Sequence, residues 1–266
     1  MLKQRIITAV ILVPLALLGV FALSPFYFSL FVGGVVLLAG WEWANLAGLT
    51  EMPARLAYVL GLALALFGSQ FLPLMSVLSL AIVVWLAALG LVLTYPTSTT
   101  VWQHRSLKLI VGLMVLVPAW SCLVWLKKAD NSSWLIVYLF ALIWGADIGA
   151  YFFGKRFGKH KLAAKVSPGK SWEGVYGALA VTTLVAIGFG LGQHKSFPQV
   201  AVMVLFAWLI VAVSVLGDLL ESMFKRERGV KDSSNLLPGH GGVMDRIDSL
   251  TAAIPVFCIS LLVTGL

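Results

Sequence analysis

Uninterrupted runs of apolar residues follow one another along almost the whole chain. A helix that crosses a bilayer needs about 20 mostly apolar residues, so each run predicts one membrane span. The first run follows Lys3 and Arg5 but ends without a clean signal-peptide cleavage site, and we interpret it as an uncleaved span. The nine predicted spans cover approximately residues 5–23, 26–48, 55–73, 74–95, 107–126, 133–153, 174–192, 198–217 and 249–265.

The distribution of basic residues predicts the orientation of these spans. Lysine and arginine collect on the cytoplasmic side of membrane proteins. With nine spans and a cytoplasmic N-terminus, 16 of the 19 Lys and Arg residues fall inside and three fall outside. We therefore expect an all-α, polytopic integral membrane protein whose N-terminus is cytoplasmic and whose C-terminus is outside.

Composition agrees with this class. Of the 266 residues, 60% are hydrophobic and only 11% are charged, and the mean hydropathy is +0.97. So little polar surface excludes a soluble globular protein, and disorder would need the opposite composition. The unbroken runs disfavour a transmembrane β-barrel. Cys122 and Cys258 both lie in apolar runs, so no disulfide framework is indicated.

The charged residues are concentrated in the second half of the chain. Eight of the 11 acidic residues and 12 of the 19 basic residues lie between positions 147 and 248. We therefore predict an N-terminal hydrophobic scaffold of about five spans (1–132) and a C-terminal catalytic region of about four spans (133–266). Two charged cytoplasmic loops are predicted in the catalytic region, at 154–173 and 218–248.

The second charged segment carries the residue types of a phosphate and metal site. Asp218 and Glu221 are three residues apart, as are Asp245 and Asp248, and such pairs share a helix face. Clustered carboxylates suit Mg²⁺ or Mn²⁺, and basic residues between them suit a phosphorylated substrate. The glycine-rich run 238–242 allows backbone N–H groups to approach an oxyanion. A solvated loop beside anionic lipid is the alternative.

The first charged segment adds an intramembrane acid and a phosphate-binding candidate. Asp147 lies inside an apolar run, which makes it a candidate site residue, although a structural hydrogen bond between helices is an alternative. Residues 167–171 can place a lysine and hydroxyls at the start of a helix, where phosphate binds. The glycine spacing of a Walker A loop is absent. Glu42, near a span end between Trp41 and Trp43, carries no clear prediction.

Taken together, these motifs resemble a known family. The stretch 222–248 is similar to the signature of phosphatidate cytidylyltransferases (CDP-diacylglycerol synthases), with Ser234 at a position that is often glycine. The segment 167–174 and the region of Asp147 resemble further family segments. The signature positions are Ser222, Lys225, Arg226, Lys231, Asp232, His240, Gly241, Gly242, Asp245, Arg246 and Asp248.

The resemblance implies a reaction and its partners. The phosphate of phosphatidic acid would attack the α-phosphorus of CTP, so that pyrophosphate leaves and CDP-diacylglycerol stays in the lipid bilayer. We expect Mg²⁺ as cofactor, with a second cation left open, and no nucleic acid partner. The resemblance further implies a homodimer in the bacterial inner membrane, multi-pass, with its active site facing the cytoplasm.

The predicted site residues fall into two groups. The catalytic group supplies charge at the reacting phosphates, and its three aspartates are the expected metal ligands: Asp218, Asp245, Asp248, Lys225 and Arg226. The substrate-binding group holds CTP and phosphatidate: Ser222, Lys231, Asp232, His240, Gly241, Gly242, Arg246, Ser167, Lys170, Glu173 and Asp147.

Three other functions compete with this hypothesis. A CDP-alcohol phosphotransferase would need the motif D-x-x-D-G-x-x-A-R, but serine follows both acidic pairs here. An ion-coupled transporter would place its charges near the bilayer midplane, whereas most charges here are predicted at one face. A non-catalytic membrane scaffold would not need clustered acids and bases.

Overall fold

A computed structural model describes residues 2–265 of the chain, apart from the side chains of residues 2–7 and 9. The side chains of Lys3 and Arg5, which contribute to the predicted orientation, therefore lie outside the described part. Ten helices and one hairpin make up the described chain: α1 (Leu2–Ala22), α2 (Pro25–Leu46), α3 (Met52–Ser69), α4 (Leu74–Leu93), α5 (Thr99–Trp102), α6 (Arg105–Lys127), α7 (Ser132–Phe157), β1 (Lys161–Ala163), β2 (Ser167–Ser171), α8 (Trp172–Gly192), α9 (Phe197–Arg228) and α10 (Met244–Thr264).

The helices confirm the all-α, polytopic membrane fold. Within the described residues, eight helices are long and apolar enough to cross a membrane, namely α2–α4 and α6–α10. The first predicted span corresponds to α1, whose described apolar part is Val10–Ala22. The number nine and the sides of the two termini stay predictions.

The two predicted cytoplasmic loops are more ordered than expected. Helix α9 has 32 residues and continues to Arg228, because Leu219, Leu220 and Phe224 extend its buried apolar face beyond Asp218. The prediction of a loop over 218–248 is therefore wrong in part: the loop covers 229–243, and α10 begins at Met244. In the other segment, β1 and β2 form a small antiparallel hairpin, which the apolar pattern did not predict.

Helices α7 and α8 pack closely because small residues face each other. A Cβ atom added at Gly149 would lie 2.4 Å from the carbonyl oxygen of Gly177. Small residues at such contacts let two backbones approach, which drives helix association in lipid. Ser171 caps the start of α8 by accepting a hydrogen bond from the Gly174 amide at 3.2 Å. The end of the hairpin is thereby fixed to the helix pair.

One hydrophobic core extends through both halves of the chain. The ring of Phe224 lies between two indoles, with ring centroids 4.8 Å from Trp43 and 4.7 Å from Trp102. The Trp43 indole also donates a hydrogen bond to the Lys108 carbonyl at 2.8 Å. The end of α9 is thus packed against α2, α5 and α6, so the predicted scaffold and catalytic regions share a core.

Candidate active site

A cavity of about 520 Å³ lies between α7, α8, α9 and the hairpin. Its lining combines apolar residues with polar ones, and both the helices and the hairpin contribute polar side chains. The polar and charged side chains that line it are Asp147, Tyr151, Lys155, Ser167, Lys170, Ser171, Ser214, Asp218 and Ser249. Four predicted site residues therefore meet here, namely Asp147, Ser167, Lys170 and Asp218, although the chain separates them widely.

An ion pair bridges the hairpin and α9 at this cavity. The Lys170 ammonium lies 2.6 Å from the Asp218 carboxylate, and both side chains are partly exposed. Ser222, one turn along α9, donates a hydrogen bond to the other Asp218 oxygen at 3.1 Å. Asp147, from α7, interacts electrostatically with Lys170, Asp218 and Arg246. The pair thus presents an ammonium group and a carboxylate to a ligand that enters the cavity.

A second lysine links the acids of α9 and α10. The Lys225 ammonium lies 2.6 Å from Glu221 and 2.6 Å from Asp245. Asp245 also accepts hydrogen bonds from the Gly242 amide at 2.7 Å and from the amide and hydroxyl of Ser233 at 2.9 and 2.8 Å. Asp245 therefore fastens the loop 229–243 to the start of α10, a structural role that sequence reasoning did not foresee.

Two glycines make these close contacts possible, Gly241 in the signature segment and Gly217 on α9. Gly241 has a φ of +80°, which L side chains rarely adopt, and an added Cβ would lie 2.6 Å from the Asp245 carboxylate. A Cβ added at Gly217 on α9 would lie 2.5 Å from the Asp248 carbonyl oxygen. Close backbone contact at both points brings the acids of the two helices together.

Acidic groups outnumber the lysines that hold them, so the donor chemistry fits a hard cation such as Mg²⁺. Glu221 is fully buried, and its Oε1 atom has no hydrogen-bond partner among the described residues. It interacts electrostatically with Asp245 and Asp248. Within residues 2–265, however, no three Asp, Glu, His or Cys groups stand as a ready ligand set. The three-aspartate metal site stays a prediction.

Several predicted site residues lie outside the cavity lining, among them the substrate-binding candidate Glu173 and the catalytic candidate Arg226. Glu173 accepts hydrogen bonds from the amides of Lys159 and His160 and forms an ion pair with the His160 ring at 2.7 Å. Arg226 donates to the Val166 carbonyl at 3.2 Å. Both residues hold the hairpin in this structure. The loop 229–243 carries Lys231, Asp232 and His240, while Arg246 lies on the first turn of α10.

The predicted site residues include neither Glu42 nor the cavity-lining residues Tyr151, Lys155, Ser171, Ser214 and Ser249. Glu42 lies on α2, in the predicted scaffold, and is 1% exposed. Its carboxylate accepts hydrogen bonds from the Ser234 hydroxyl and from the Val243 and Met244 amides, and it lies 2.9 Å from the Ser233 hydroxyl. The available signal for Glu42 was a carboxylate inside an apolar span, the same signal that identified Asp147.

Comparison with known proteins identifies the family. The model of the cytidylyltransferase family matches residues 3–264. A phosphatidate cytidylyltransferase from Pseudomonas aeruginosa is 54% identical over 100% of this chain and 98% of its own. One from Haemophilus influenzae is 41% identical over 97% of each chain, and one from Staphylococcus epidermidis is 40% identical over 48% of this chain and 49% of its own. Because the match runs nearly from end to end, this chain belongs to the cytidylyltransferase family.

Proposed function

We propose that the protein transfers a cytidylyl group from CTP to phosphatidic acid, giving CDP-diacylglycerol and pyrophosphate. The observation that carries this proposal is the 54% identity, over the full length of the chain, to a protein named phosphatidate cytidylyltransferase. The cavity agrees with the proposal because it combines charged side chains with an apolar lining, as a lipid phosphate and a nucleotide require. The comparisons give no support to the alternative of an ion-coupled transporter.

In the proposed reaction, a phosphate oxygen of phosphatidic acid attacks the α-phosphorus of CTP. The bond from the α-phosphorus to the bridging oxygen breaks, and the electron pair leaves with pyrophosphate. The lipid phosphate is itself the nucleophile, so no covalent enzyme intermediate is needed. The work of the protein is to bring two anions together and to hold them in line.

Two lysines contribute to bringing the phosphates together. Lys170 faces the cavity and can pass from Asp218 to a phosphate oxygen, since its side chain is 25% exposed. Lys225 is held by Glu221 and Asp245, so its ammonium group is fixed in position between the acids of α9 and α10. Charges that are already in place cost no reorganisation when negative charge develops on the leaving group.

Asp218 and Asp248 would hold Mg²⁺, which would supply positive charge to neutralise the phosphates. Asp245, whose carboxylate is engaged by Lys225, Ser233 and Gly242, would keep the start of α10 in place. We also propose that the protein is a homodimer in the bacterial inner membrane with this cavity facing the cytoplasm.

The test is transfer of label from CTP to lipid. The purified protein in liposomes is incubated with phosphatidic acid, labelled CTP and Mg²⁺, and lipid-soluble label is measured. We expect Asp218→Asn to abolish most transfer, while Asp130→Asn, which changes an exposed acid in the connection between α6 and α7, keeps it. Absence of label transfer by the unaltered protein with every divalent ion tried would refute the proposal.

A further inference from the structure

Glu42 is a buried carboxylate in a helix that has no other charged residue. It lies near the end of α2, within the half of the chain that contains few charges, and its residue is 1% exposed. An ionised carboxylate removed from water is costly unless hydrogen-bond donors surround it. The groups that surround the Glu42 carboxylate therefore indicate its role in the structure.

All four groups that contact the Glu42 carboxylate come from the signature segment of the second half. The Val243 amide donates to Oε1 at 2.9 Å and the Met244 amide to Oε2 at 2.7 Å. The Ser234 hydroxyl donates to Oε1 at 2.6 Å, and the Ser233 hydroxyl lies 2.9 Å from Oε2. Each carboxylate oxygen thus has two partners, which is the full capacity of the group.

Two of these donors are the first amides of α10. Val243 is the residue before the helix and Met244 is its first residue, so their N–H groups have no partner within the helix. A negative charge at this position also stabilises the helix dipole. Asp245 lies on this first turn and Asp248 follows one turn later. By holding the start of the helix, Glu42 therefore fixes the place of Asp245 directly and that of Asp248 through the helix.

A direct link also joins Glu42 to Asp245. The Ser233 hydroxyl lies 2.9 Å from Glu42 and 2.8 Å from Asp245, so it is within hydrogen-bond distance of both carboxylates and can donate its one hydrogen to either. Gly242 leaves the space for this contact, because an added Cβ would lie 2.1 Å from the Ser233 hydroxyl oxygen and 2.4 Å from Glu42. From Asp245 the chain of contacts continues to Lys225 at 2.6 Å.

We propose that Glu42 is a positioning residue for cytidylyl transfer. It does not line the cavity and acts by holding the start of α10 and Ser233, and through them Asp245 and Lys225, in their working positions. This inference rests on the proposed function. It gives the predicted scaffold a role in the active site, because the carboxylate that holds the start of α10 comes from α2 and not from the signature segment.

Glu42→Gln is the principal test. An amide group presents two N–H donors where the carboxylate presents an oxygen, so the donors at that oxygen lose their acceptor. We expect kcat to fall about 10- to 100-fold, the range for groups that orient catalytic residues, with the KM for phosphatidic acid nearly unchanged. Ser234→Ala removes one donor only and should lower kcat about 3- to 10-fold. In the double variant, the fold-decrease in kcat should be smaller than the product of the two single decreases, because both substitutions act through the same carboxylate.

Glu227→Gln is the matched control. It makes the same chemical change in an ion pair with Lys108, which joins the same two halves of the chain through α6 and α9 rather than through the start of α10. We expect this variant to keep kcat. Hydrogen exchange of the amides in segment 242–244 gives a measure that does not depend on activity, and exchange there should become faster in Glu42→Gln but not in Glu227→Gln.

The outcomes separate the two proposals. If the unaltered protein transfers no label, the proposed function fails, while the exchange measurement still decides whether Glu42 holds the loop. If Glu42→Gln keeps its kcat per folded molecule, or if it loses no more than Glu227→Gln, the positioning role is refuted. Unchanged exchange at 242–244 in Glu42→Gln would refute it equally.

Discussion

A methyl group at Gly149 should separate α7 from α8 and thereby disturb the cavity. The added Cβ would lie 2.4 Å from the Gly177 carbonyl oxygen and 3.0 Å from a Val181 methyl carbon. The first of these atoms is backbone, so no side-chain rotation relieves the contact. To restore an ordinary contact distance, the helices must move apart by about 1 Å.

The Gly149→Ala substitution should lower both stability and activity. Overpacking of this kind destabilises a protein by about 1–3 kcal/mol. The effect on activity arises because α8 begins at its cap Ser171, directly after Lys170. A shift of about 1 Å at a reacting centre can cost about 100-fold in rate. We therefore expect Gly149→Ala to lose far more activity than its loss of stability alone would cause.

The assay is lipid-soluble label from CTP, measured together with thermal unfolding in detergent. Gly188→Ala is the matched control, since Gly188 also lies on α8 but its added Cβ would meet nothing within 4 Å. The control should keep its activity and gain up to about 1 kcal/mol of helix stability. Equal activity in the two variants would show that close packing of α7 on α8 does not position the site.

Three further substitutions test separate contacts. Lys170→Met should lower kcat about 100- to 1000-fold with little change in thermal unfolding, because a partly exposed ion pair with Asp218 contributes about 0–1 kcal/mol; parallel losses of stability and activity would contradict this. Ser171→Ala removes the cap of α8 and should lower the free energy of unfolding by about 1 kcal/mol, and an unchanged unfolding transition would show that the cap is dispensable. Gly242→Ala should abolish label transfer, since its Cβ would lie 2.1 Å from a serine oxygen, whereas Gly90→Ala has open space and should keep activity.

The membrane helices could be predicted because lipid imposes a simple length and polarity rule on each of them. The rule fails where a helix continues past the apolar region. Asp218 and Lys225 were interpreted as parts of a loop, yet they lie on the polar face of α9 while Leu220 and Phe224 keep the opposite face buried. Charge alone does not distinguish a loop from a helix whose polar side faces a cavity.

Three candidate site residues that were selected from local chemistry lie together in the folded chain. Asp218, Lys170 and Asp147 were each identified from their immediate neighbours, and the structure brings all three to one cavity. The role of Glu42 could not be predicted, because Ser233 and Ser234 lie about 190 positions away along the chain and no local spacing pattern connects them. The separate roles of Asp245 and Lys225 also depend on contacts that only the folded chain defines.

The two lysines of the site already hold carboxylates, and this has a consequence for selectivity. A small inorganic anion that approaches Lys170 or Lys225 must displace a competitor that is tethered to the same protein and therefore present at high effective concentration. A ligand with a single anionic group gains only one ion pair and so displaces the tethered carboxylate poorly. A molecule that touches the cavity at several points can displace it, and the resting site is in this way protected from the common anions of its surroundings.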